Sequence, residues 1–250
     1  DDVQTHPHRA TTTEASWTRN PQTTPRHTLS MDVLARYEPL IDDYEAFRAA
    51  CERPLPSVVR VNEIKATPRR VRQAFAEAGT TYEQVDWNNG LLKIEESPGN
   101  SWPYIHGWVY GQEEVSAIPA EVLAPTPGEQ VFDPCAAPGS KTTQLAALMD
   151  DTGMIVANDN NLGRLSALRS NAERCGVTNI AVTNGDARNF SIKPFTDDHH
   201  TPIFDRSLVD VPCSCEGTCR KNPTALQEWE YSHVQGIAGV QTGILTRAIE

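Results

Sequence analysis

Apolar positions along the chain fall into three textures. Residues 1–30 hold eight threonines, three histidines and three prolines without any apolar period, which predicts a polar leader with no packed core. His6 and His8 fall in this stretch and read as part of a loose tail rather than a metal site. A helical spacing begins at Met31 and runs through Leu34, Tyr37, Leu40 and Ile41, and a natural start at Met31 is expected, with the leader coming from upstream translation. Asp42 to Cys51 reads as a further helix and Ser57 to Asn62 as a strand. Pro68 stands in the first turn of a helix that continues through Val71, Phe75 and Ala78 and stops at Gly79. Leu91 to Ile94 adds a short strand, so 31–110 is expected to form a small α+β domain.

From Gly111 the pattern changes to repeated strand, turn and helix. Gln130 to Asp133, Met154 to Ala157, Ile180 to Thr183 and Ile203 to Val209 read as four strands. Helices are expected over Thr142 to Met149, from about Leu162 to Cys175 with Gly176 closing it, and over roughly Val240 to Ala248. Strands separated by helices of this size imply an α/β fold with a parallel sheet and right-handed crossovers.

Composition narrows the functional classes. A hydrophobic content of 38% is enough for a core. No run of about 18 apolar residues occurs, so no membrane-spanning helix is expected. The N-terminus lacks a basic-then-apolar signal pattern, which points to a cytoplasmic protein. Six cysteines are too few and too unevenly placed for a disulfide framework, and three of them crowd into Cys213, Cys215 and Cys219. The net charge of −11 is unlike that of a nucleic-acid binder, whose phosphate contacts come from basic surface. Only five of the 22 basic residues are lysines, however, and acids with few lysines suit a salt-rich cytoplasm. Within this acidic chain Arg60, Lys65, Arg69, Arg70 and Arg72 face a single acid, Glu63. That run is either a solvated helix face or a contact for RNA phosphates.

The turn after the first strand of the second region, Asp133-Pro-Cys-Ala-Ala-Pro-Gly-Ser-Lys-Thr142, borders the cleft where parallel sheets bind ligands. Cys135, Ala136, Ala137, Pro138, Gly139, Ser140 and Lys141 make it a largely small-residue turn that a ligand can approach closely. The helix N-terminus behind it can receive a carboxylate or phosphate. Asp159, just past the second strand, suits a pair of ribose hydroxyls, although alone it would read as a helix N-cap. Asp186, after the third strand, is placed to meet a base or an amino group. A phosphate-binding Walker loop would need glycines where Cys135 and Ser140 stand, so an adenosine-type methyl donor fits better. Asp210 ends the fourth strand, and Pro212 holds Cys213 beside it. A thiol and a carboxylate at the mouth of such a pocket suit addition to a pyrimidine ring. Cys-x-Cys-x3-Cys offers only three ligands with no histidine nearby, so no metal is expected. Cys51 and Cys175 read as packed thiols.

These motifs resemble the RNA cytosine-C5 methyltransferases of the NOL1/NOP2/Sun family, particularly its archaeal members. The resemblance covers roughly Asp32 to Ala248 and is most specific at Asp133 to Thr142 and Asp210 to Pro223, with Tyr110-Gly111-Gln112-Glu113 leading in. It implies an S-adenosylmethionine-dependent enzyme with a Rossmann-like domain over 111–250 and an RNA-binding domain over 31–110. It implies that Cys135 to Lys141, Asp159, Arg164, Asp186 and Asp210 line the donor pocket, and that Lys141 and Asp210 touch the target cytosine. It assigns Cys213 to product release and the nucleophile to a later Thr-Cys motif that does not occur after the 240–248 helix. Cys219 follows Thr218 but lies inside the first cysteine loop, so it does not inherit that role.

The chain is therefore expected to be a fragment, with about four of the family's sheet strands, that binds the donor weakly and does not turn over. Its expected partner is RNA, tRNA before rRNA, acting as a monomer without membrane or metal. A non-catalytic RNA-binding protein and a methyltransferase for another substrate are the competing readings. The salt-adaptation reading has its own test. Raising KCl to molar levels should increase the unfolding temperature, and a chain fully folded in dilute buffer that gains nothing from salt would contradict it.

Overall fold

The computed structural model describes residues 31–195, 203–222, 224–227 and 229–250, and the predicted leader lies outside them. Four helices and four strands form the first part: α1 (Met31–Ala35), α2 (Tyr44–Glu52), β1 (Ser57–Val61), α3 (Pro68–Ala78), β2 (Tyr82–Val85), β3 (Asn88–Ile94), α4 (Trp102–Ile105) and β4 (Val109–Gly111). The strands make an antiparallel sheet in the order β2-β3-β1-β4. Because side chains alternate along a strand, Val59 and Val61 of β1 pack with Val71 and Phe75 of α3 on one face. Val58 turns to the opposite face, against Leu91 and Ala117. Thr67 caps α3, its hydroxyl accepting from the Arg70 N–H at 3.3 Å, and Gly79 ends the helix as expected.

The second part comprises α5 (Glu114–Leu123), β5 (Gln130–Asp133), α6 (Ser140–Leu148), β6 (Met154–Asp159), α7 (Leu162–Cys175), β7 (Ile180–Asn184), β8 (Arg206–Ser207), α8 (Thr224–Gln227) and α9 (Tyr231–Ile249). Its sheet is parallel in the order β7-β6-β5-β8. The central strands are apolar on both faces, with Val131, Ile155, Val156 and Ala157 all fully buried, as a covered parallel sheet requires. After β7 the chain returns past β5 to add β8 on the far side. Strand order therefore reverses between β5 and β8, which opens a crevice at their carboxyl ends. No helix among the described residues is long and apolar enough to cross a membrane.

Several boundaries differ from the sequence reading for identifiable reasons. The fourth strand was expected over 203–209, but only Arg206 and Ser207 pair with Val131 and Phe132. Its ladder is one-sided, and the Asp210 N–H bonds back to the Leu208 carbonyl at 3.1 Å, bending the chain out of the strand. The last helix begins at Tyr231 rather than Val240; Gly236 and Gly239 lower the propensity of its first half. Helix α5 carries Pro119 inside it, a helix-breaking signal that tertiary packing overrides. Strands β2 and β4 have too few apolar positions to show a period.

A buried polar seam joins the two sheets. Asn62, fully buried at the end of β1, donates to the carbonyls of Gly107 and Cys175, each at 2.8 Å. Lys65 donates to the Arg174 carbonyl at 2.7 Å, and the Arg174 guanidinium donates to the carbonyls of Tyr104 and Val109. Gly107 has φ +70° and lies so close to α7 that an added Cβ would run into the Arg174 carbonyl. Gly107→Ala should therefore remove about 2–4 kcal/mol of stability, from strained backbone and broken contact together. It would read as a lower urea midpoint at unchanged slope; an unmoved midpoint would mean that this close approach does not exist in solution.

Candidate active site

The turn after β5 is built by hydrogen bonds that tie it to β6. The Ala136 N–H donates to the Asn158 carbonyl at 2.8 Å, the Ala137 N–H to Asp159 Oδ2 at 3.3 Å, and the Gly139 N–H to the Ala136 carbonyl at 2.8 Å. Gly139 has φ +102°, and a Cβ there would meet Leu168 of α7 at 2.7 Å, so both conformation and space require glycine. Its sharp turn starts α6 and aims the N-terminus of that helix at the crevice.

Within the crevice is a cavity of about 170 Å³ lined by Cys135, Ala136, Ala137, Pro138, Ser140, Lys141, Arg164 and Asp210, all predicted, and by Asp133 and Leu208. Lys141 Nζ meets Asp210 Oδ2 at 2.8 Å and also donates to the Ser116 hydroxyl at 3.2 Å. Lys141 is 15% exposed and Asp210 51%, so the pair stands at the cavity mouth with the carboxylate outward. Asp159 is buried beneath the turn, where its Oδ2 faces Arg164 Nη1 at 3.1 Å and its Oδ1 accepts from the Asn161 N–H at 2.9 Å. Arg164 also donates to the Ala137 carbonyl, so it bridges the acid and the turn.

Asp133 is the residue that sequence reasoning passed over, although it opens the motif. Its Oδ2 accepts from the Thr142 hydroxyl at 2.8 Å, while its buried Oδ1 has no hydrogen-bond partner among the described residues. Burial, with Asp210 adding repulsion, pushes its carboxyl up to about 7 against the pull of Thr142, the Cys135 amide and Lys141. Burial and the carboxylates of Asp133, Asp159 and Asp210 push the Cys135 thiol up to about 12. Cys135 therefore stands in the cavity wall as a thiol with little thiolate character.

Other predicted residues are not gathered at this cavity. Asp186 lines a separate pocket of about 310 Å³ with Gly185, Phe190 and Phe195, and its carboxylate accepts from the Arg188 N–H and Nε at 3.0 Å. Those bonds hold it below the usual carboxylate range. Cys213 is exposed and does not line the cavity. Its loop is anchored from three sides. Gln241 of α9 donates to the Pro212 carbonyl at 2.8 Å, Arg220 donates to the carbonyls of Arg53 and Pro54, and Glu216 accepts from Arg36 and Tyr37. Cys219 is buried with Leu34 and Leu226, and Cys51 packs against the same cluster.

The basic run disperses. Arg60 is a correction: alternation along β1 turns it with Val58 away from α3, into the interior between the sheets. There its guanidinium donates to Gln112 Oε1 at 2.8 Å and Thr143 Oγ1 at 2.9 Å, out of reach of phosphate. Burial lowers its pKa to about 10, which leaves it cationic at neutral pH. Lys65 is bound to the end of α7 and Arg72 to Gln84 and the Asn89 carbonyl. Arg69 and Arg70 remain exposed on α3.

Sequence comparison places these features in a family. The 16S rRNA methyltransferase RsmB/F family matches residues 120–250, and the N-terminal domain of 16S rRNA methyltransferase RsmF matches residues 29–114. The chain belongs to the RsmB/F family. It is 38% identical over 213 residues to the ribosomal RNA small subunit methyltransferase F of Shewanella loihica, covering 82% of this chain and 43% of that protein. The chain thus spans less than half the length of that relative. The crystal structure of PH0851 superposes with a TM-score of 0.80 at 29% identity, covering 87% of this chain and 49% of that one. A methyltransferase homologue from Pyrococcus horikoshii gives 0.68 at 27% identity, covering 88% and 72%.

In this RsmB/F chain Asp133 makes stability depend on pH. Unfolded, it ionises near 3.8; folded, near 7. Between these values the folded chain keeps a proton that the unfolded chain has released, so the contribution is complete below 3.8 and disappears as pH rises through 7. Asp133→Asn keeps an acceptor for Thr142 and cannot ionise. Urea unfolding at about pH 5 and about pH 8 should show a smaller loss of stability in the variant than in the wild type. Equal losses would mean that Asp133 is already ionised at the lower pH.

Proposed function

We propose that the crevice binds S-adenosylmethionine and that the whole protein methylates C5 of a cytosine in small-subunit ribosomal RNA. The observation that carries this reading is the Lys141–Asp210 pair, 2.8 Å apart at the mouth of a cavity walled by a small-residue turn. The residues suit the donor: Asp133 contributes to the cavity wall and keeps a buried Oδ1 without a partner, a polar group that a bound ligand can satisfy. When bound, the donor supplies an electrophilic methyl group on a sulfonium.

The chain's own residues divide the remaining work. Asp159 accepts from ribose hydroxyls, with Arg164 holding its carboxylate in place. The N-terminus of α6 receives the donor's carboxylate. Asp186 faces the base or amino end. Asp210 in its acid form donates to N3 of the cytosine and stabilises the negative charge that develops there when a thiolate adds at C6, while Lys141 fixes Asp210 and steadies the base. Cys213, which lies outside the cavity, serves product release. The attacking thiolate is not assigned to any cysteine of this chain. Ribosomal RNA is preferred over tRNA because the 38% identical relative carries that description. The acidic, lysine-poor composition supports a salt-rich cytoplasm as the setting.

The test uses the whole protein, labelled donor, and deproteinised small-subunit rRNA and tRNA in parallel. Digestion should release labelled 5-methylcytidine from the rRNA, and Asp210→Asn should slow transfer by about a hundredfold or more. Cys213→Ala should leave RNA covalently attached to the protein after denaturation. Label in tRNA alone would overturn the substrate assignment, and free turnover by Cys213→Ala would remove its release role.

A further inference from the structure

Helix α4 presents an aromatic group that the fold itself does not need. Its sequence, Trp102-Pro103-Tyr104-Ile105, buries Pro103, and the Tyr104 ring lies 4.2 Å from the Arg174 guanidinium. Trp102, however, is 52% exposed, and Ile105 beside it is 59% exposed. The Trp102 indole meets the Trp108 ring edge-on, with centroids 4.4 Å apart at 84°, and the His106 ring at 4.5 Å. On the neighbouring helix, the exposed Arg70 holds its guanidinium 4.4 Å over the Trp108 ring. Arg70, Trp102 and Trp108 border a groove of about 760 Å³.

The wall of the groove also decides what it takes. Gln73, Ser97 and Ser101 bring amide and hydroxyl groups that can bond either donors or acceptors. Glu77 and Glu96 lie in the same wall and outweigh the single positive charge of Arg70. Such a groove gives a phosphodiester backbone little attraction. A flat heteroaromatic ring, in contrast, gains from an indole face and a guanidinium plane and finds polar partners for its edge. Helix α7 links this groove to the cavity: Arg164 near its first turn touches the cavity, and Arg174 in its last turn bonds Tyr104. Ten residues separate these two arginines, about 15 Å of helix.

We propose that the Trp102–Trp108–Arg70 groove is a stacking site for an unpaired RNA base a few nucleotides away from the target nucleotide. This rests on the RNA-methyltransferase reading and adds to it a contact that reads single-stranded character away from the reacting base. It also explains how a chain of net charge −11 engages RNA: ring stacking, unlike phosphate contact, needs no basic surface.

The experiment measures binding of the protein to a short single-stranded RNA of mixed sequence and to a blunt duplex of the same sequence. Trp102→Leu keeps apolar bulk but removes the ring, and should weaken single-strand binding about tenfold. Trp102→Phe should restore most of it, and duplex binding should barely change in either variant. Unfolding temperature and S-adenosylmethionine affinity, measured on the same samples, should match the wild type. Equal single-strand affinity of wild type and Trp102→Leu would overturn the proposal, as would absence of single-strand binding by the wild type. Either result with intact donor binding would leave the methyltransferase reading standing. A peptide rich in aromatic residues competing more strongly than RNA would reassign the groove to a protein partner and also overturn it.

Discussion

The crossing from β7 back to the far side of β5 is the constraint on which this molecule depends. Two adjacent parallel strands whose onward connections run in opposite directions cannot close over their own carboxyl ends, so a crevice stays open there. Asp133 at the end of β5 and Asp210 after β8 arrive at the two lips of that crevice. Like charges so placed would repel, and the structure resolves this in two ways. Lys141, in the first turn of α6, pairs with the outer carboxylate, while burial keeps the inner one largely protonated up to about pH 7. One acid is therefore held by Lys141 at the mouth while the other is an inner-wall group with an unsatisfied oxygen, an arrangement suited to a bound ligand between them.

The antiparallel sheet contributes to that geometry from behind. Arg60 reaches from β1 to Thr143 on α6, and Gln112 passes the connection on to Gln144 one residue along the same helix. A buried guanidinium is tolerated only where acceptors surround it, and here those acceptors belong to the helix that carries Lys141. Ser116 of α5 holds Lys141 directly. The position of the ammonium group is thus set by both sheets, so the packing of the N-terminal part matters to the site even though none of its residues lines the cavity.

Much of this was legible in the residues because strong local signals agreed with the tertiary structure. Helices α3 and α7 stop at the glycines that mark their ends, and three parallel strands follow their apolar runs. The small-residue turn and Asp210 converge as their positions after β5 and β8 suggest. What escaped the sequence depends on contacts distant along the chain. Arg60 belongs to a basic cluster in one dimension and to the interior in three, because strand alternation separates it from Arg69 and Arg70. The helix α5 is hidden by Pro119, and the start of α9 by its glycines. The placement of Cys213 outside the cavity follows from anchors on Gln241, Arg53 and Arg36, all far from it along the chain. Asp133 is visible in the sequence as the first residue of the turn motif, while its altered acidity arises only from the burial around it.

Crystals of the protein soaked with S-adenosylmethionine should show density running from Asp159 across the 133–141 turn, with the methyl-bearing sulfur turned towards the Lys141–Asp210 mouth. A donor bound elsewhere on the protein, or a crevice left empty at saturating donor, would contradict it.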